Sequence, residues 1–341
     1  METHASNQDR ACSAPNAERK ASDAKGSVFT WIGRVLMLLG LIFVGLRFWS
    51  YRYSVGSELA NPVLLFTTVL FSVIYAASCL LLALGWWLIL HARIQQETRL
   101  PWRAAWRIYG KTQIAKYIPG NIFHFAGRHV LSAQEGISHS RLVMAATLEI
   151  IMMLLATGLI SLLAVRSVID SLRYFNSYAS LIAGVGVVVA GSVALFYVAR
   201  RFDAKNLLAA LRLRWLLGAQ SSYLLFFLIS AGLFFCLLKV GAVGWSASYW
   251  PAVFESYAVA WAIGFVIPGA PGGLGVREAI LVALLSSLLP EKTVLVSALL
   301  FRVVTTFGDI LFFSGSVNSW LHRAISPALV LALTLVLECV T

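Results

Sequence analysis

Long apolar runs separated by short polar, basic stretches dominate the chain, and a run of about 20 residues is long enough to cross a bilayer as a helix. Such runs occur at residues 28–48, 62–90, 142–165, 178–199, 221–243, 249–267 and 294–315, with a short last one from 326 onward. The pattern predicts an all-α, polytopic integral membrane helix bundle of about eight transmembrane helices. A membrane β-barrel is excluded, because its strands would alternate apolar and polar residues over roughly ten positions. Residues 1–27 are polar and lack any periodicity that could bury a core, so they read as a disordered cytoplasmic tail ahead of one transmembrane domain, 28–341. The first run ends in Arg47-Phe48-Trp49 with no small-residue cleavage site, which marks a retained span, not a signal peptide.

Composition agrees: 59% of the 341 residues are hydrophobic and 12% are charged, against roughly 45–50% and 25% in soluble domains. The 27 Lys and Arg against 15 Asp and Glu give a net charge of +12. In a membrane protein that excess needs no nucleic acid to explain it. With the N-terminus inside, the tail holds four basic residues, the loop 91–141 eight and the loop 200–220 five, and Arg277 and Lys292 follow in a third inside segment. The outside set is Arg47, Arg52, Arg166, Arg173 and Arg323. An excess of Lys and Arg on one side sets orientation, so both termini are expected in the cytoplasm.

Two segments break the apolar pattern. In the loop around 100–131, Trp102, Trp106, Tyr109 and Tyr117 alternate with Arg103, Arg107, Lys111, Lys116 and Arg128. The plain explanation is an amphipathic helix at the headgroup interface, its aromatics in a belt and its cations facing anionic lipid. The sharper one concerns Lys116, Pro119, Gly120 and Asn121: the Pro-Gly pair ends a helix, and freed backbone groups need partners if the segment dips into the membrane. The second segment, 267–279, reads IPGAPGGLGVREA and precedes an apolar run too short to cross, which suggests a re-entrant or half helix. Gly269, Gly272, Gly273 and Gly275 allow a concave nest of N–H groups, a helix starting near Val276 adds its positive dipole end, and Arg277 and Glu278 stand beside them. A Gly/Pro loop that merely turns the chain is the bland alternative. Paired Gly/Pro-interrupted apolar segments are also the sequence pointer to a transporter's binding site.

The three stretches KYIPGNIFHFAGR (116–128), PGAPGGLGVREA (268–279) and FRVVTTFGDILFFSG (301–315) resemble, in order, the signatures of the lysylphosphatidylglycerol synthase transmembrane-region family, also called flippase-like domain proteins. The resemblance covers nearly the whole chain after the polar tail and makes 28–341 a flippase-like domain. It implies residence in a bacterial inner membrane and work on membrane lipids, an anionic phospholipid or a polyprenyl-phosphate-linked glycan. The family includes the membrane half of the enzyme that makes and moves aminoacylated phosphatidylglycerol. Nothing after the last span is long enough for a soluble aminoacyl-transfer domain, so lysyl transfer is not expected.

Ionisable groups inside spans line polar paths or pair with one another. Glu149, Glu255, Arg302 and Asp309 are the candidates. Arg302 and Asp309 share one helix face about 10.5 Å apart, too far for a direct bridge, with Thr305 between them. Structural pairing between helices is the competing account of these charges. No G-x-S-x-G, H-E-x-x-H or P-loop pattern occurs, His124, His129 and His139 lack metal-ligand spacing, and the four cysteines are scattered, so no catalytic residue, metal or cofactor is expected. The expected function is movement of an anionic lipid or lipid-linked intermediate between leaflets. Lys116 and Arg128 would attract the headgroup, the glycine nest and Arg277 would receive its phosphate, and Glu149, Glu278 and Asp309 would balance the arginines or bind a cationic headgroup moiety. The alternative is an accessory subunit or enzyme presenting a lipid phosphate to a partner transferase.

Overall fold

The computed structural model describes residues 62–92, 99–118, 122–169, 212–241, 246–267 and 271–317, together with positions 38, 42, 46 and 49. Among the described residues all regular structure is helical. Eight α-helices follow in order: α1 (Pro62–His91), α2 (Trp102–Gln113), α3 (Phe123–Gln134), α4 (His139–Ile169), α5 (Leu213–Gly241), α6 (Trp250–Val266), α7 (Val276–Leu285) and α8 (Glu291–Val317). Four stretches are long and apolar enough to cross a membrane: Pro62–His91, His139–Leu162, Leu213–Val240 and Glu291–Val317. They match four of the expected spans. The runs at 28–48, 178–199 and from 326, and the polar tail, lie outside the described residues.

Small residues let the spans approach closely, as packing between apolar helices in lipid requires. A Cβ on Gly308 of α8 would lie 2.6 Å from the Tyr75 ring and 2.9 Å from the Ser72 carbonyl oxygen of α1, and one on Gly85 of α1 would lie 2.6 Å from the Tyr223 ring of α5. Edge-on ring pairs continue this core: Tyr75 with Phe226 at 5.8 Å and Phe234 with Phe301 at 5.4 Å.

The remaining helices form two hairpins that do not cross. The first is α2, continued by a 3-10 turn (Ile114–Tyr117), then a break, then the returning α3. Gly127 of α3 faces Thr112 of α2, where a Cβ would come within 3.1 Å of the threonine methyl. Both open ends sit beside the α1 C-terminus: Trp87 Nε1 donates to the Leu100 carbonyl at 2.9 Å, and Arg141, just after α3, donates to the Leu90 carbonyl at 2.6 Å. The α5 N-terminus joins them, with the Arg212 N–H on the Ala92 carbonyl at 2.7 Å.

The second hairpin is α6, a glycine-rich loop with a 3-10 turn (Pro271–Gly273), and α7. Its open end lies at the opposite end of the bundle, with the α5 C-terminus, where Phe235 meets Phe254 at 6.2 Å and Phe234 meets Tyr257 at 6.1 Å. The two tips meet in the middle: a Cβ on Gly272 would be 3.5 Å from the Tyr117 ring and 3.3 Å from Arg302 Nη2. Arg302 is eleven residues into α8, roughly 16 Å by helix rise, which is half a hydrocarbon core of about 30 Å.

Two expectations change here. Trp106 and Tyr109 are each only 2% exposed, so the aromatic face of α2 is buried in the bundle and not a headgroup belt. Arg103, Arg107 and Lys111 remain exposed on its other face. The run 249–267 becomes α6, 17 residues long and one arm of a hairpin. Because that hairpin returns to its own side, α8 starts at the end of the bundle away from His91, His139 and Leu213. Lys292 therefore does not share a side with the basic loops, and Arg277 sits at the hairpin tip. Ala92 and Arg212, the described residues at the edges of the basic loops 91–141 and 200–220, lie together at one end of the bundle.

Candidate functional site

A partly open pocket lies where the hairpin tips meet, with about 510 Å³ of empty space, open solvent included. Four of the charged residues singled out above, Lys116, Arg128, Glu149 and Arg277, line it together with Gly272. They come from three elements of the first hairpin and α4, and from the tip of the second.

Arg128 and Glu149 tie α3 to α4. Nη1 of Arg128 donates to both carboxylate oxygens at 2.7 Å, and the Tyr109 hydroxyl donates to Oε1 at 2.9 Å. The guanidinium lies 4.1 Å from the centre of the Tyr109 ring and 4.9 Å from that of Phe125. With side chains 4% and 1% exposed, this is a buried pair whose desolvation is offset by good geometry and aromatic cover.

Asp309 is fully buried and joins α8 to the first hairpin. Lys116 Nζ lies 2.6 Å from Oδ2, the Tyr117 hydroxyl donates to the same oxygen at 2.6 Å, and Gln113 Nε2 reaches Oδ1 at 3.5 Å.

Arg302 holds the second tip. It donates to the Gly272 carbonyl at 2.9 Å and the Pro271 carbonyl at 3.2 Å, and lies 3.8 Å from Glu278. Glu278 in turn accepts from the Gly275 N–H at 2.8 Å, capping α7. Gly272, Gly273 and Gly275 have φ of 57°, 73° and 80°, the left-handed region where a Cβ is costly. The glycine segment is thus a nest-like tip, but one of its N–H groups is already taken by Glu278. Its carbonyls face Arg302.

Arg277 differs from the other cations. Its side chain runs through a slot between Gly264 of α6 and Gly273, where added Cβ atoms would lie 2.5 Å from Cγ and 2.6 Å from Nε. The guanidinium lies 5.3 Å from the centre of the Trp261 ring, which is stacked on Phe265 at 4.9 Å. Its Nε is buried without a hydrogen-bond partner, and among the described residues no carboxylate pairs with it. A second, partly open pocket, with about 400 Å³ of empty space including open solvent and lined by Tyr257, Glu278, Arg302 and Thr305, adjoins it, and Tyr75, Trp261 and Arg277 border both. Lys116, Arg128, Arg277 and Arg302 face the carboxylates Glu149, Glu278 and Asp309. Among the described residues, Lys116, Arg128 and Arg302 have carboxylate partners and Arg277 has none.

Some expected residues play no part in the first cavity. Thr305 lines only the second, and its hydroxyl donates to the Arg302 carbonyl at 3.1 Å. Glu255 is buried within α6 and borders neither cavity. Pro119, Gly120, Asn121 and Gly269 lie outside the described residues. His129 and His139 do meet, Nε2 to Nδ1 at 2.8 Å, as a hydrogen-bonded pair. Among the described residues no group of three metal-ligating side chains comes together. Reasoning from sequence missed Gln113 and Tyr117, which hold Asp309, and Trp261 and Gly264, which hold Arg277. Gln113 and Tyr117 lie within four residues of Lys116, the one local signal available; Gly264 in an apolar run offered none.

A family model described as Lysylphosphatidylglycerol synthase TM region matches residues 31–312, which includes both hairpins and every charged residue of the two cavities. A search of curated proteins finds no match.

Proposed function

Since this chain belongs to the lysylphosphatidylglycerol synthase TM region family, we propose that it moves an anionic lipid or lipid-linked intermediate between membrane leaflets. The family and the four apolar spans make it a multi-pass integral membrane protein with a lipid-related function. The observation that carries the finer reading is Arg277, which borders both adjoining cavities and has no carboxylate partner among the described residues.

A lipid phosphate supplies the missing negative charge. The headgroup enters the first cavity, attracted by Lys116 and Arg128, is bound by Arg277 beside Trp261, and passes to the second cavity while its acyl chains stay in lipid. A buried cation shared between two chambers lowers the cost of carrying a phosphate through the hydrocarbon core. In this reading the membrane is a bacterial inner membrane and the first hairpin enters it from the cytoplasmic side, which the excess of Lys and Arg in loops 91–141 and 200–220 supports.

The test is a leaflet assay in proteoliposomes of phosphatidylcholine carrying fluorescent phosphatidylglycerol or a fluorescent polyprenyl-phosphate glycan, read by dithionite reduction. Transfer of an anionic probe that Arg277→Ala abolishes supports the reading. Equal transfer in the wild type and Arg277→Ala removes the site. A preparation that moves neither probe overturns the function.

A further inference from the structure

We propose that an anion bound in the first cavity draws Lys116 away from Asp309, and that Asp309 takes up a proton in exchange, so that each anion is carried with one proton. This rests on the reading of that cavity as an anion site and supplies its energy coupling.

The two partners of this ion pair are unequal. Asp309 is fixed on α8 with its side chain 0% exposed and does not line the cavity, whereas Lys116 is 19% exposed and does. Lysine carries its charge on a flexible four-carbon stem and is able to swing. The other paired cations are not free to do so. Arg128 binds both oxygens of Glu149 under an aromatic cover, and Arg302 is held by two carbonyls and Glu278. An anion that meets Arg277 therefore recruits Lys116 as its second cation.

Asp309 then keeps only neutral donors, Tyr117 and Gln113. Among the described residues, Tyr75 and Cys79 from α1 and Tyr257 from α6 also lie in its field, and none of them supplies a positive charge. Arg302 is two turns away on α8 and committed to the loop. A buried carboxylate without a counter-charge neutralises instead of staying ionised. The proton comes from the medium, given up by hydronium or a buffer acid that is left as water or its conjugate base, and forms an O–H bond at Oδ2, the oxygen that Lys116 leaves. Lys116 keeps its own proton throughout, and release of the anion reverses each step. A pH gradient thereby drives the anion, with no nucleotide needed.

The protein in phosphatidylcholine nanodiscs is titrated with dihexanoyl phosphatidylglycerol, with binding followed by tryptophan fluorescence between pH 6 and 8. Proton uptake is counted by calorimetry in buffers of different ionisation enthalpy. The expected result is an affinity that rises about tenfold for each unit fall in pH, the slope for one linked proton. Asp309→Asn and, independently, Lys116→Gln lose that slope while eluting as monodisperse protein. Wild-type binding that is flat with pH and takes up no proton overturns the proposal whatever the variants do, and so does absence of binding. The leaflet assay on the same preparations separates the two readings. Transfer with pH-independent binding overturns the proton linkage and sustains transport; pH-linked binding without transfer overturns transport and sustains the linkage.

Discussion

Arg277 passes so close to Gly264 that a single methyl group on the glycine would sit 2.5 Å from its Cγ, so the position of the guanidinium depends on the absence of a side chain one helix away. Gly264→Ala is expected to push the arginine out of its slot, since the atoms in conflict belong to a movable side chain. The stability cost should be small for overpacking, about 1 kcal/mol. Lipid transfer should fall as far as in Arg277→Ala. Thermal unfolding in detergent and the leaflet assay check the two halves; a variant with full transfer would show that Arg277 works from more than one position. Gly273→Ala combines the same clash with a φ of 73°, which adds about 1–2 kcal/mol of backbone strain.

Arg128 and Glu149 join two helices through a buried pair, so removing one partner strands the other. Arg128→Met and Glu149→Leu, each alone, are expected to cost about 3–5 kcal/mol, and the double variant about 1 kcal/mol or less. Melting temperatures of the three proteins test this. A double variant that regains stability but not transfer assigns the pair to the lipid path, whereas regained transfer makes it purely structural.

Much of this site was legible because charge inside an apolar run is costly and must find company. Glu149 and Asp309 could be picked out on that ground, and Lys116, Arg128 and Arg277 from the two segments that break the apolar pattern; all five meet at the hairpin tips or their cavity. What could not be read was direction. The segment 249–267 is as apolar as a span, and nothing in its composition says that α6 stops at mid-depth and returns; the glycines after it show a break, not on which side the chain leaves. That is why Lys292 was placed with the cytoplasmic loops. The aromatic face of α2 was misplaced for a related reason: an amphipathic pattern reveals that two faces differ, but Trp106 buried against Phe312 and Trp106 in headgroups leave the same periodicity.

Arg302 closes the second tip with two carbonyl hydrogen bonds that no other residue type reproduces at once. Arg302→Lys keeps the charge but reaches one carbonyl at a time, and Arg302→Met leaves both carbonyls and Glu278 without it. The expected losses are about 1 and about 3 kcal/mol, from hydrogen bonds to a charged donor. Amide hydrogen exchange over 272–275 should rise in the same order while α1 and α5 stay protected. Unchanged exchange in Arg302→Met would mean that the glycine loop holds its shape without the arginine.

The exposed stripe of Arg103, Arg107 and Lys111 lies four residues apart along α2, opposite the face that carries Trp106 and Tyr109 into the bundle. Having no packing role, it should tolerate replacement by glutamine at all three positions with a stability change within about 0.5 kcal/mol. Its effect should instead appear in lipid dependence, because each cation near an anionic surface contributes about 1 kcal/mol of attraction. Wild-type transfer is expected to quicken as phosphatidylglycerol is added to the host vesicles and to lose that response in high salt, which screens surface charge. The triple variant should show neither effect. A triple variant that melts far below the wild type would place the stripe against protein, and one with an unchanged lipid response would move the electrostatic funnel to the other basic loop, 200–220.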